Sequence, residues 1–169
     1  VNESGIIDTT EGVTKAIKGQ ITGTVKYHRN VKGDNVLSRD LVVWLPPNYI
    51  EEERSYPVVY MQDGQNIFDP ATSSYGTDWA IDETCDSLIK AGKIPAVIVV
   101  GIYNTNDRNE EYHPGKKGEN YMRYVVETIK PLIDSHYRTK HDRENTIVGG
   151  SSSGGTFAFM MAWEYPDVF

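Results

Sequence analysis

The stretch Thr146-Ile-Val-Gly-Gly-Ser-Ser-Ser-Gly-Gly-Thr-Phe157 decides how the rest of the chain is read. Thr146, Ile147 and Val148 read as a short buried strand, a turn packed with glycine and serine follows, and a helix begins near Ser153. Gly150-Ser-Ser-Ser-Gly154 fits the pattern G-x-S-x-G in one frame only. Centring it on Ser151 or Ser153 puts a serine where a flanking glycine belongs. Ser152 is therefore the candidate nucleophile.

A serine hydroxyl is a poor nucleophile at neutral pH, so it needs a base beside it and donors for the oxyanion that forms. A sharp strand-to-helix turn holds the serine out, and the residues two before and two after must be small to avoid collision. Gly150 and Gly154 meet that demand, with Gly149 and Gly155 giving further clearance. The following helix aims free N–H groups and its positive dipole end at the turn, so the Ser153 N–H is one candidate oxyanion donor. The competing reading is a plain loop or a phosphate-cradling turn. A phosphate loop of the Walker type needs Gly-Lys-Ser/Thr, and no lysine lies between His141 and Phe169. The dinucleotide pattern G-x-G-x-x-G belongs after the first strand of a βαβ unit, not the fifth.

Working outward, the chain alternates strands and helices. Residues 20–29 and 39–45 read as an antiparallel strand pair, the second stopped by Pro46-Pro47. Residues 56–61 and 95–102 are continuous apolar strands of the kind buried on both faces. Between them, residues 78–91 read as a helix capped by Asp78, with Ile81, Cys85, Leu88 and Ile89 on one face and Gly92 closing it. A polar loop spans 103–118. Residues 120–137 read as the longest helix, kinked at Pro131, with Tyr121, Tyr124, Val125, Ile129, Leu132 and Ile133 in one stripe. A last helix spans 153–163. This rhythm implies an α/β fold, a mostly parallel sheet with helices on both faces. Residues 1–19 read as a loosely ordered arm.

The 169 residues suffice for one domain. Composition is that of a soluble globular domain, 38% apolar and 24% charged. A net charge of −7 argues against nucleic acid or an anionic membrane as the main partner, since both call for a basic face. No apolar run approaches a membrane span. A single cysteine, Cys85, excludes an internal disulfide and a cysteine-rich zinc site.

Val148-Gly-Gly-Ser-Ser-Ser-Gly-Gly155 resembles the elbow of the esterase D-like branch of the α/β-hydrolases, which includes feruloyl, acetylxylan and siderophore esterases. Other segments resemble that branch in order. They are Arg39-Asp-Leu-Val-Val-Trp-Leu-Pro-Pro-Asn-Tyr49, Tyr56-Pro-Val-Val-Tyr-Met-Gln-Asp-Gly-Gln-Asn-Ile-Phe-Asp69, Trp79-Ala-Ile-Asp-Glu83, residues 95–102, residues 108–114 and Leu132-Ile-Asp-Ser-His-Tyr-Arg-Thr139. The resemblance covers residues 20–169. It implies an α/β-hydrolase fold, Ser152 as nucleophile, and oxyanion donors from the backbone N–H of Ser153 and of Gly64 or Gln65. It implies no cofactor and no metal. Many relatives carry histidine where Gln62 stands.

In that family an acid and then a histidine follow the nucleophile in chain order. Here Glu164 and Asp167 follow Ser152, whereas His28, His113, His136 and His141 all precede it. The resemblance therefore implies the N-terminal part of one esterase domain, with the first five of about eight strands. The base, the acid and a cover for the last strand are expected from the remainder of the domain or from another chain. Trp79 and His113 are candidate substrate contacts. Against this, an exposed loop histidine has a plain solvated role, and Asp78, Asp82 and Glu83 suit the first turn of a helix without any chemistry. The expected activity is a serine carboxylic-ester hydrolase acting through an acyl-enzyme on small acyl or acyl-carbohydrate esters, feruloyl or acetyl among them. A secreted or periplasmic location fits the acidic composition, with a cytoplasmic one as the alternative. The other class of reading is a non-catalytic binding or scaffold module of the same fold.

Overall fold

The structure, a computed structural model, describes residues 20–169 together with the backbone of Ile7–Asp8. Alternating burial in Val25 and Tyr27, opposite the near-continuous buried run of Leu41 to Leu45, sets the first pairing. Strand β2 (Thr24–Gly33) runs antiparallel to β3 (Val36–Leu45) through a two-residue turn in which Asn35 takes a φ of 58°. The register slips between His28 and Val31, where Asn30 sits at φ 53° and donates its N–H to Asp40. Ile7–Asp8, inside the expected N-terminal arm, is a short strand β1 that pairs parallel with Lys26 and Tyr27. The rest of that arm lies outside the described residues.

Strands β4 (Val58–Gln62), β5 (Ile98–Ile102) and β6 (Thr146–Gly149) complete a sheet of order β1-β2-β3-β5-β4-β6. Pairs β4–β5, β4–β6 and β1–β2 are parallel, while β2–β3 and β3–β5 are antiparallel. All five residues of β5 are buried, as its β-branched sequence requires of a strand covered on both faces. On one face Val42, Trp44, Val99, Ile67 and Phe68 pack against Ile81, Cys85 and Ile89 of helix α1 (Ile81–Lys90). On the other, Leu41, Tyr60, Val100 and Ile102 pack against residues 121–133 and against Phe157 and Met161. The expected α/β layering is present.

Three local expectations need correction. Helix α1 starts at Ile81, after Ala80 in a left-handed conformation (φ 51°), so Asp78 is not its cap. Asp78 instead accepts the N–H of Ala80 at 3.1 Å and shapes the entry. The polar segment 103–118 contains helix α2 (Arg108–Glu111), a single turn too short to show periodicity. The long helix begins at Lys116, earlier than its apolar stripe suggests, as α3 (Lys116–Tyr124). It passes through a π-type turn at Val125–Ile129 into α4 (Lys130–His136). The cause is Pro131, which has no N–H and crowds the carbonyl one turn back, so the register widens before it and Lys130 bonds to Val125 instead. Helix α5 (Ser153–Glu164) follows β6 directly.

Candidate active site

In a parallel sheet the carboxyl ends of the strands carry the loops where ligands bind. Three such ends meet here. The loops after Gln62 of β4, Ile102 of β5 and Gly149 of β6 contribute Asp63, Asn66, Asn104, Arg108, Ser151 and Ser152 to one open cleft of about 460 Å³. Ser74, Tyr75 and Trp79 form its rim.

Ser152 has φ 54° and ψ −125°, outside the left-handed helical basin that non-glycine residues occasionally visit. Such strain is of order 1–3 kcal/mol and survives only where the surroundings impose it. They do so through close backbone contact. A Cβ on Gly150 would lie 2.5 Å from the carbonyl carbon of Gly154. A Cβ on Gly154 would lie 3.2 Å from the Cβ of Gln62 and 3.5 Å from an Asp63 carboxylate oxygen. The elbow is thus pressed against the end of β4. Helix α5 closes behind it: Gly155 and Thr156 donate to the Ser152 carbonyl at 2.9 and 3.2 Å, and Gly154 donates to Ser151 at 2.8 Å. Ser153 is the first residue of that helix, so its N–H has no intrahelical acceptor. Ser152 itself is exposed to the cleft.

Opposite the elbow lies a 3-10 turn, Gly64–Asn66, all three residues buried. Its internal bond runs from the Asn66 N–H to the Asp63 carbonyl at 2.9 Å, leaving the N–H groups of Gly64 and Gln65 ahead of it. Gly64 has to be glycine, because a Cβ there would come within 2.3 Å of the Gly101 carbonyl carbon in β5. The Gln65 side chain accepts the Asn104 N–H at 3.2 Å, and its carbonyl accepts the Thr72 hydroxyl at 2.7 Å.

Asp63, at φ 59°, is the anchor of this turn. Arg108 donates Nε and Nη2 to its carboxylate at 2.7 and 2.8 Å, a bidentate fork, and Asn104 Nδ2 adds a third bond at 2.6 Å. Its own N–H donates to the Tyr112 hydroxyl at 3.2 Å. Asp63 is buried and Arg108 partly exposed at the cleft, and the hydrogen bonds to Asp63 raise the guanidinium's pKa above its usual value. Tyr112 is fully buried, stacked against Tyr121 and Phe157, and burial pushes its hydroxyl far above the ordinary tyrosine range. It stays a neutral hydroxyl. Behind it, Arg39 and Glu111 form a buried bidentate ion pair that ties α2 to β3.

The predicted residues fall unevenly. Ser152 and Trp79 share the cleft, and Ser153 lies at the elbow beside it. Gly64 and Gln65 lie in the turn facing the elbow, behind the lining residues Asp63 and Asn66. His113 does not join them. It lies in a separate groove with Pro114 and Lys117, its Nδ1 bonded to the Asn109 carbonyl at 2.6 Å, because α2 turns it away. His28 is buried against the Tyr137 hydroxyl at 2.8 Å, and His136 bonds back into its own helix. Gln62 is buried beneath the cleft, where its Oε1 accepts the Tyr121 hydroxyl at 2.6 Å. Asp63 and Asn66 escaped the sequence reading, although both stand inside the quoted stretch after β4. Their roles depend on contacts about forty residues away or on the loop that follows.

Among the described residues, carboxylate oxygens of Asp78, Asp82 and Glu83 lie within 4.8 Å of one another. Two of them are engaged with backbone: Asp78 with the Ala80 N–H, and Asp82 with the Thr22 N–H at 2.6 Å.

Residues 37–169 match the profile of the family described as "Putative esterase". The uncharacterised protein YbbA of Bacillus subtilis is 24% identical over 145 residues, which cover 78% of this chain and 54% of YbbA. The endo-1,4-beta-xylanase/feruloyl esterase of Xylanibacter ruminicola is 29% identical over 132 residues, 75% of this chain and 18% of that protein. The solved enterobactin esterase of Shigella flexneri superposes with a TM-score of 0.70 at 18% identity, covering 89% of this chain and 36% of its own. That likeness establishes the fold as α/β-hydrolase. The chain spans about half the length of the first curated relatives it matches.

Proposed function

The chain belongs to this esterase family, and from that premise we propose that Ser152 is the nucleophile of a carboxylic-ester hydrolase working through an acyl-enzyme. The observation that carries the reading is the backbone of Ser152, forced to φ 54° and ψ −125° between a strand and a helix and opening on a cleft. Its hydroxyl attacks the ester carbonyl. The developing oxyanion is met by the N–H of Ser153 and by the Gly64–Gln65 turn, the alcohol leaves, and water later releases the acid. The aromatic rim of Tyr75 and Trp79, with the polar Asn104 and Arg108, suits a small acyl or acyl-carbohydrate ester, feruloyl or acetyl. The feruloyl esterase and enterobactin esterase among the similar proteins support the ester class. A secreted or periplasmic setting fits such a substrate.

None of the described histidines lines the cleft. The base and acid are therefore proposed to come from the remainder of the hydrolase domain, or from another chain, covering the β6 edge. The same observation favours a second reading, a non-catalytic module that binds through the cleft. Hydrolysis of p-nitrophenyl acetate by the full-length protein separates them. The enzyme reading expects turnover that falls by about 10⁶-fold in Ser152→Ala, the scale seen when a hydrolase loses its nucleophile. Turnover unaffected by Ser152→Ala, or none above buffer, sinks it in favour of the binding module.

A further inference from the structure

The turn after β4 holds one donor that neither the oxyanion turn nor the elbow uses. Asn66 lines the cleft with Ser151 and Ser152, and is only 4% exposed. Three of its four polar groups are committed. Its N–H donates to the Asp63 carbonyl at 2.9 Å, and its carbonyl accepts the Trp79 N–H at 2.9 Å. Its side-chain Oδ1 accepts the Ser74 N–H at 2.8 Å, with the Ser73 hydroxyl at 3.4 Å. A backbone N–H can only donate, so the atom facing Ser74 must be the oxygen, and the orientation of the carboxamide is fixed. Nδ2 then points the other way. It has no acceptor among the described residues. Nor is it one of the fully enclosed orphan atoms, which are Arg39 Nε, Tyr60 OH, Gln62 Nε2, Asp69 Oδ2 and Asp82 Oδ1. A donor that is unpaired but not sealed off, on a residue whose remaining surface is the cleft, faces the cleft.

We propose that Asn66 Nδ2 is a substrate ligand that donates a hydrogen bond to an acyl oxygen of the ester bound at Ser152. The inference rests on the esterase reading and deepens it. An unpaired amide donor held rigidly in a partly desolvated site is the kind of group that stabilises charge as it develops, because nothing has to reorganise when the carbonyl oxygen becomes an oxyanion. The rigidity has a visible source. The Ser74 N–H and the Trp79 N–H clamp Asn66 from both ends of residues 74–79, the segment that carries the aromatic rim. Asn66 therefore joins the part of the cleft that grips the acyl group to the turn that receives its charge. A substrate with a hydrogen-bond acceptor on the acyl side and a flat group against Tyr75 and Trp79 uses both features at once.

The test is ester hydrolysis by the full-length protein carrying Asn66→Asp or Asn66→Ala, with Ser152→Ala as the control and thermal unfolding measured alongside. Asn66→Asp keeps the oxygen that Ser74 needs but removes the donor. Asn66→Ala removes both and adds no charge. A donor role predicts that kcat falls in both variants, by about 10²-fold or more, as when one oxyanion donor is lost. The fall in kcat is measured at a temperature where each variant is fully folded, because a carboxylate at this nearly buried position lowers the melting temperature of Asn66→Asp. Activity retained in Asn66→Asp but lost in Asn66→Ala means Asn66 only holds the loop, and overturns the proposal. A loss confined to Asn66→Asp is an effect of charge, and overturns it equally. Wild-type protein with no Ser152-dependent hydrolysis overturns the esterase reading and this role with it. Active wild type with unimpaired variants removes only the role of Asn66.

Discussion

The Asp63–Asn66 turn and the Ser151–Ser152 elbow face each other across one cleft, yet they are held in different ways. The turn is fixed by side chains from distant segments: Arg108 and Asn104 on the Asp63 carboxylate, Tyr112 on its N–H, and Thr72 on Gln65. Behind it stand the fully buried strand β5 and the Arg39–Glu111 pair. The elbow is held almost entirely by its own backbone, by glycine contacts and the first bonds of α5. It grows from β6, an edge strand on which Ile147 is 48% exposed, and leads into a helix whose outer face shows Phe159 and Trp163. The difference teaches that the turn is fixed by long-range side-chain contacts, while Ser152 is oriented by its own backbone beside the last strand of the described sheet.

Four perturbations bear on this contrast. Glu111→Gln should have the largest effect on folding. It leaves the Arg39 guanidinium buried with only a neutral partner, and removing one member of a buried ion pair destabilises by about 3–5 kcal/mol. Urea unfolding measures it, and a loss below about 1 kcal/mol would put this pair among surface bridges and break the comparison. Gly64→Ala comes next. Its methyl would meet the main chain of β5 at Gly101 and Ile102, so a loss of about 1–3 kcal/mol is expected from overpacking, with the turn displaced and hydrolysis lowered.

The third effect is a slope with pH. Burial, with Glu83 adding to it and the Thr22 N–H opposing it, pushes the Asp82 carboxyl from 3.8 up to about 7. The folded protein therefore binds this proton more tightly than the unfolded chain does. Asp82 contributes most to stability below about pH 4 and loses that contribution as pH rises from 3.8 towards 7. Asp82→Asn should flatten this part of the stability profile, measured as urea midpoints across that window. An unchanged slope would show that Asp82 is charged when folded. Ile147→Lys should have the smallest effect in residues 1–169 alone, within about 0.5 kcal/mol, because among the described residues its side chain is half in solvent. A loss as large as that of Gly64→Ala, confined to the full-length protein, is the outcome expected if the rest of the domain covers β6.

The same contrast explains what could be read from the residues in order. Strand and helix alternation follows from local apolar periodicity, so β4, β5, α1 and α5 were legible from their own sequences. The elbow was legible for a related reason: its geometry demands small residues at fixed spacing, and Gly150 and Gly154 announce it. The opposite wall was harder to read. Asp63 is an ordinary acidic residue until Arg108, 45 positions later, closes on it. Asn66 owes its orientation to Ser74 and Trp79, and helix α2 is one turn without periodicity. His113 looked like a site residue from its place in a strand-end loop, but that turn of helix carries it away from the cleft. Backbone-built features leave a pattern in sequence. Features built from long-range side-chain contacts do not.

By the proposal, the strained backbone makes Ser152 the nucleophile, rather than Ser151, which also lines the cleft, or Ser153. Treating the full-length protein with a serine-directed fluorophosphonate and mapping the adduct by peptide mass spectrometry tests it directly. The account predicts one adduct per molecule, on Ser152, abolished in Ser152→Ala and retained in Ser151→Ala. An unmodified protein, or an adduct carried by Ser151 or Ser153, would contradict it.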